Sequence, residues 1–135
     1  IAKSAIVSGG EVVGIIPEFL ATKEKINYET TETIIVNNMS ERKIKLFEMA
    51  DAFLILPGGS GTIEEATEII SWKILGIHNK KIIIFNFNNF WDPLIEMYSQ
   101  SKIKKFGNTN LQNICIHVKT IKEFINYISN EKNKS

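Results

Sequence analysis

The segment Leu56-Pro57-Gly58-Gly59-Ser60-Gly61-Thr62-Ile63-Glu64-Glu65 constrains this chain more than any other. An apolar run, Ala52-Phe53-Leu54-Ile55-Leu56, precedes it and reads as a buried strand. An apolar-periodic run from about Thr62 to Leu75 follows and reads as a helix, with Ile63, Ala66, Ile70 and Ile74 on one face. A glycine turn between a strand and a helix start is a ready-made anion site, because backbone N–H groups and the helix dipole both favour negative charge there. Gly58, Gly59 and Gly61 admit two readings. One is a tight turn needing positive φ, for which a single glycine ordinarily serves; the other is close approach of a ligand to the backbone, which three glycines followed by Thr62 favour. No lysine follows the last glycine as in a Walker A loop, and the spacing is not that of a dinucleotide fingerprint.

Strands and helices alternate along the rest of the chain. A helix over about Ala2 to Val7 closes at Ser8-Gly9-Gly10, and Glu11 to Ile16 forms a strand stopped by Pro17. The polar stretch Ala21 to Thr33 reads as a loop, Thr33 to Val36 as a strand, and Asn38 to Ser40 as N-cap candidates for a helix from about Glu41 to Met49. Lys81 to Phe87 is a strand covered on both faces, and Asp92-Pro93 caps the next helix with Pro93 at its first position. The strand Ile114 to Val118 and a helix from about Ile121 to Ile128 close the pattern. Such alternation predicts an α/β fold: a parallel sheet with helices on both faces. The strand Ala52 to Leu56, lacking polar alternation, suits a central position. Ligands in such sheets bind beyond the carboxyl ends of the strands, where Pro17, the Pro57 turn and Arg42 are expected. Residues 1–130 read as one domain, and 131–135 as a polar, solvated tail.

Composition narrows the function. With 135 residues, 44% hydrophobic and 23% charged, the chain is neither disordered nor fibrous. A net charge of +1 gives no reason to expect nucleic acid as partner, and the apolar runs are too short for a membrane helix. Cys115 is the only cysteine, which excludes an intramolecular disulfide and points to a reducing, cytoplasmic setting. Within Ile114-Cys115-Ile116-His117-Val118 it reads as a small buried hydrophobe rather than a nucleophile. His78 and His117 have no ligand-like spacing, so no metal is expected. Trp72 reads as packing or interface.

Two charged groups stand out beside the glycine turn. Glu64 and Glu65 in a first helical turn would favour the dipole, which accounts for one of them. A carboxylate beside a phosphate would be repelled, yet it suits the next part of a ligand, such as a ribose. Near an anomeric carbon it can stabilise oxocarbenium character or activate water. Arg42-Lys43 at a helix start opposes the dipole, a small cost that suggests pairing with a ligand or a carboxylate.

These residues carry a family resemblance. Pro57-Gly58-Gly59-Ser60-Gly61-Thr62-Ile63-Glu64-Glu65 resembles the P-G-G-x-G-T-x-x-E motif of the Lonely Guy family, the cytokinin riboside 5′-monophosphate phosphoribohydrolases often mislabelled as lysine decarboxylases. Gly14-Ile15-Ile16-Pro17 is similar to its G-V-I-P, Met39-Ser40-Glu41-Arg42-Lys43 to its M-x-x-R-K, and Trp72-Lys73-Ile74-Leu75-Gly76-Ile77-His78 to its W-x-x-L-G-I-H. Ala50-Asp51-Ala52-Phe53 precedes the glycine motif as in the family. The similarity weakens after about Gly107. It implies a Rossmann-like fold, usually a homodimer, that hydrolyses the N-glycosidic bond of a nucleoside 5′-monophosphate without cofactor or metal. Arg42 and Glu65 fall on the family's catalytic arginine and glutamate; its substrate contacts fall on Glu24, Arg42, Lys43 and the segment Gly58, Gly59, Ser60, Gly61, Thr62, Ile63, Glu64 and Glu65. A decarboxylase would need a pyridoxal-binding lysine in its own context, and nothing in the sequence argues for one. The alternatives are a broader AMP or purine monophosphate nucleosidase and a non-catalytic nucleotide- or molybdenum-cofactor-binding protein. The family's first two strands and its G-G-G-x-x-G-L-M-G motif have no counterpart before Ile1, so the sequence is expected to be an N-terminally truncated or partial chain.

Overall fold

The computed structural model describes residues 1–21, 30–107 and 110–132. It divides into two compact units, Ile1–Ala50 and Asp51–Ser135.

In the first unit, helix α1 (Ala2–Val7) ends in a Gly9 with φ of 81°, the left-handed residue that the Ser8-Gly9-Gly10 sequence announces. Strand β1 (Val13–Pro17) pairs in parallel with β2 (Glu32–Val36), with Ile15 opposite Ile34. Pro17 is the last residue of β1 rather than the one after it, and a short helix α2 (Glu18–Ala21) follows at once. Helix α3 (Met39–Met49) starts earlier than Glu41 because Asn38 is its N-cap, its Oδ1 accepting from the Glu41 N–H at 2.9 Å. The Glu41 carboxylate reaches back to the Asn37 N–H and side-chain amide, each at 2.9 Å. Those hydrogen bonds from Asn37 hold the Glu41 carboxyl below its ordinary value. The helix start is thus closed by reciprocal side-chain bonds close to a capping box. Helix α3 packs on β1 and β2.

In the second unit, β3 (Ala52–Ile55), β4 (Lys81–Phe85) and β5 (Ile116–Val118) form a parallel sheet in the order β3-β4-β5. The central strand of this sheet is β4, not the Ala52 strand: Ile82, Ile83 and Ile84 are all buried, whereas Leu54 is exposed. An uninterrupted apolar run does not by itself separate a central strand from one at the end of a sheet. Helix α4 (Ser60–Ile74) contributes Ala66 and Ile70 to the core, with Ile55, Ile82, Ile84, Trp91, Leu111 and Cys115. Ile63 and Ile74, expected on the same face, are exposed at the two ends of that stripe. Gly76, with φ of 74°, terminates the helix.

Helix α5 (Asp92–Ile103) has Trp91 as its N-cap and Pro93 one position later than expected. Residues Leu111–Ile114 form a short helix α6, so of the expected last strand only Ile116–Val118 belongs to β5, with Cys115 extended just before it. Helix α7 (Ile121–Lys132) packs on β5 and runs past Ile128. Glu131 pairs with Lys81 at 3.4 Å, which raises the lysine above its ordinary value. The outcome is α/β, with every strand pairing parallel and the sheets flanked by helices. Among the described residues, no helix is long and apolar enough to cross a membrane.

Candidate active site

The glycine turn leaves the carboxyl end of β3, where an α/β sheet offers its ligand site. Helix α4 begins at Ser60, earlier than the periodicity suggests, so Ser60, Gly61 and Thr62 are its first three residues. Their amides precede the first intrahelical bond, from the Ile63 N–H to the Gly59 carbonyl at 3.0 Å. The N-cap is Gly59, extended at φ −87° and ψ −159°, and it supplies no side-chain cap. A helix start of this kind directs donors and a positive dipole end outward.

The three glycines have different reasons to be glycine, and positive φ is none of them: among the described residues only Gly9 and Gly76 are glycines of that kind. A Cβ on Gly58 would run into the Thr62 side chain, so this glycine lets the turn close on the helix it precedes. Around Gly59 and Gly61 a Cβ would meet nothing within 4 Å. Gly59 suits its N-cap position, and at both glycines the space where a side chain would stand is open.

The early start of α4 changes the reading of the carboxylates. Its first turn contains no acidic residue, so the dipole no longer accounts for Glu64 or Glu65, which lie in the second turn. Glu64 is exposed and Glu65 half-buried. Arg42 belongs to the first unit, near the start of α3. Its half-buried side chain donates from Nε to the Ile15 carbonyl, in the middle of β1, at 3.1 Å. Lys43 follows it, also half-buried. Glu24 lies outside the described residues.

His78, Cys115 and His117 are buried or half-buried in the second unit. His78 is buried; its Nδ1 accepts from the Lys80 N–H at 3.1 Å and its Nε2 lies 2.9 Å from the Ile69 carbonyl, so both ring nitrogens are occupied by backbone groups. Burial pushes the Cys115 thiol up to about 12, as expected of a core hydrophobe and not of a nucleophile. His117 is held below its ordinary value by burial, against a hydrogen bond to the Leu111 backbone.

The carboxyl end of β4 carries a feature the sequence did not single out. Asn86 is buried, its Oδ1 accepting from the Trp91 N–H at 2.8 Å and its Nδ2 donating to Asp92 Oδ1 at 2.7 Å. Between them Asn88 and Asn89 adopt positive φ, 51° and 59°. Asparagine tolerates that region better than most residues, and an Asn-rich stretch is the only sequence signal for it.

Residues 1–128 match a family model described as possible lysine decarboxylase. The chain belongs to that family, the Lonely Guy family. It is 41% identical over 107 residues to the cytokinin riboside 5′-monophosphate phosphoribohydrolase of Rhodococcoides fascians, covering 78% of this chain and 54% of that one. A rice protein of the same name (Oryza sativa subsp. japonica) is 36% identical over 122 residues, 90% of this chain and 50% of its own. One from Arabidopsis thaliana is 34% identical over 126 residues, 93% and 59%. The chain therefore spans about half the length of the Lonely Guy relatives it matches.

Proposed function

We propose that this protein hydrolyses the N-glycosidic bond of nucleoside 5′-monophosphates, those of cytokinin type included, to free base and ribose 5-phosphate. The observation that carries the reading is the α4 start, where the amides of Ser60, Gly61 and Thr62 precede the first intrahelical bond and the space beside Gly59 and Gly61 is open. The names of its Lonely Guy relatives supply the substrate class.

In this reading the backbone N–H groups of Ser60, Gly61 and Thr62 hold the 5′-phosphate, with Gly58 and Gly59 letting it approach. Glu65 stabilises the ribosyl cation as the bond to the base lengthens, or positions water; Ile63 and Glu64 complete the contacts of the segment. Arg42 and Lys43 bind and orient the nucleotide, with Arg42 supporting charge at the reacting centre. Glu24 contacts the base or the sugar. Water adds at the anomeric carbon, its proton passes on, and the base leaves protonated in place of its glycosidic bond. No cofactor or metal is invoked. A homodimer built on the Trp72 helix is supported by exposed Leu75 and Ile77 at its end, and a cytoplasmic setting by the lone thiol.

Incubation with AMP and with isopentenyladenosine monophosphate, followed by chromatography, tests the reaction. Free base and ribose 5-phosphate are expected from at least one; neither substrate yielding base rejects the reading.

A further inference from the structure

Two phenylalanines at the carboxyl end of β4 are exposed yet fixed in orientation. Phe87, 53% exposed, stacks on Phe85 with ring centroids 6.3 Å apart and planes 15° apart. Phe90, 47% exposed, meets the buried Trp91 edge-on at 5.0 Å and 86°. Each exposed ring is thus braced by an inner one. The chain between them is pinned as well. Asn86 ties it to Trp91 and Asp92, and Lys119 Nζ donates to Asn89 Oδ1 at 2.8 Å. Isolated surface phenylalanines lose rotamer freedom when they bind something; rings already held in place do not.

Their position relates them to the glycine turn. Strands β3 and β4 are parallel neighbours with Ile55 opposite Ile84, so their carboxyl ends emerge side by side. Gly58 and Phe87 follow those paired residues at equal spacing along the two chains. The segment that carries the two rings thus leaves the sheet beside the segment that carries the glycine turn.

We propose that Phe87 and Phe90 form the stacking surface for the planar base of the nucleotide whose phosphate sits on the glycine turn. The proposal rests on the phosphoribohydrolase reading and adds to it the residues that distinguish a nucleotide from a bare sugar phosphate. Stacking on aromatic faces is tolerant of base identity, so this rim contributes affinity for bases in general and responds to added ring or side-chain area.

The test compares AMP with ribose 5-phosphate by calorimetric binding, using the protein as its gene encodes it. Phe87→Leu and Phe90→Leu keep apolar volume and remove the ring; Phe87→Trp restores one. Each leucine variant is expected to weaken AMP on the order of ten-fold while leaving ribose 5-phosphate unchanged, with Phe87→Trp recovering AMP affinity. Equal affinities of parent and leucine variants for AMP, or parallel loss of AMP and ribose 5-phosphate, overturn the stacking role while leaving the phosphate site standing. A parent that binds neither compound overturns both readings.

Discussion

Arg42 donates from Nε to the carbonyl oxygen of Ile15 at 3.1 Å, tying the start of α3 to β1. A guanidinium anchored through Nε has its orientation set before any ligand arrives, and a lysine has no equivalent of that nitrogen. Arg42→Lys should therefore cost about 1 kcal/mol of stability through the lost hydrogen bond. It should also lower base release on the order of a hundred-fold, the scale of losing a positioned charge donor. Urea unfolding and chromatographic assay read the two effects. A lysine variant with parental turnover would remove Arg42 from the reaction.

The glycines of the turn should separate stability from binding. Gly58→Ala forces its Cβ against Thr62 and should destabilise by about 1–3 kcal/mol. Gly61→Ala meets no atom and replaces glycine within the first turn of α4, so it should stabilise by about 0.5 kcal/mol. The same methyl group stands where the phosphate is proposed to approach, and ribose 5-phosphate binding should weaken. A Gly61→Ala protein that is both more stable and fully able to bind would place the phosphate elsewhere.

Stability should fall with pH in a window set by His117. Its folded-state value lies below the ordinary 6.5, because burial disfavours the charged ring. The unfolded chain consequently takes up its proton first as pH falls, and the stabilisation present above about 6.5 is lost as pH drops through the folded value. His117→Leu should flatten the unfolding free energy over that range. An unchanged slope would assign the loss to other groups. The Glu41 carboxylate, lowered by Asn37, acts in a separate window below its ordinary 4.5.

Cys115 should resist modification in the native protein. With its thiol pushed up to about 12 by burial, the thiolate fraction at pH 8 is negligible and the sulfur is enclosed by the core. An aromatic disulfide reagent should react at the rate of unfolding, and promptly in urea. Prompt labelling of the folded protein, with turnover lost in proportion, would return Cys115 to consideration as a functional thiol.

What the sequence made legible was local. Alternation of apolar runs with capped helices is enough for an α/β fold with parallel pairing, and Asn38, Gly9 and Gly76 act as their residue types suggest. The start of α4 at Ser60 is hidden in the sequence because Ser60 and Gly61 are poor helix formers, yet they adopt helical geometry when the next turns are anchored in the core through Ala66 and Ile70. The place of β3 at an end of its sheet depends on which strand pairs with which, and a single run of side chains does not encode that. The hydrogen bonds of Arg42 to Ile15 and of Asn86 to Trp91 each join an ordinary-looking side chain to a backbone group that carries no sequence signature.

Asn86 shows how strongly such an anchor should matter. Its side chain is buried and spends both ends: Oδ1 on the Trp91 N–H and Nδ2 on the Asp92 carboxylate. Asn86→Leu leaves the Trp91 amide without its acceptor and should cost about 1–3 kcal/mol. Asn86→Asp is nearly isosteric but replaces the donor facing Asp92 with a second carboxylate. Burial and like charge both raise the pKa of the introduced acid, so its penalty is full at neutral pH and relieved as pH falls towards about 4. At pH 7 the aspartate variant should be the less stable of the two, and on acidification it should regain ground that the leucine variant does not. Because Asn86 also fixes the turn that carries Phe87 and Phe90, AMP affinity should fall in both variants more than ribose 5-phosphate affinity does. Denaturation curves at two pH values, read beside the two binding constants, check the whole chain of reasoning. An aspartate variant with parental stability at pH 7 would mean that the contact with Asp92 is not the restraint its 2.7 Å geometry implies.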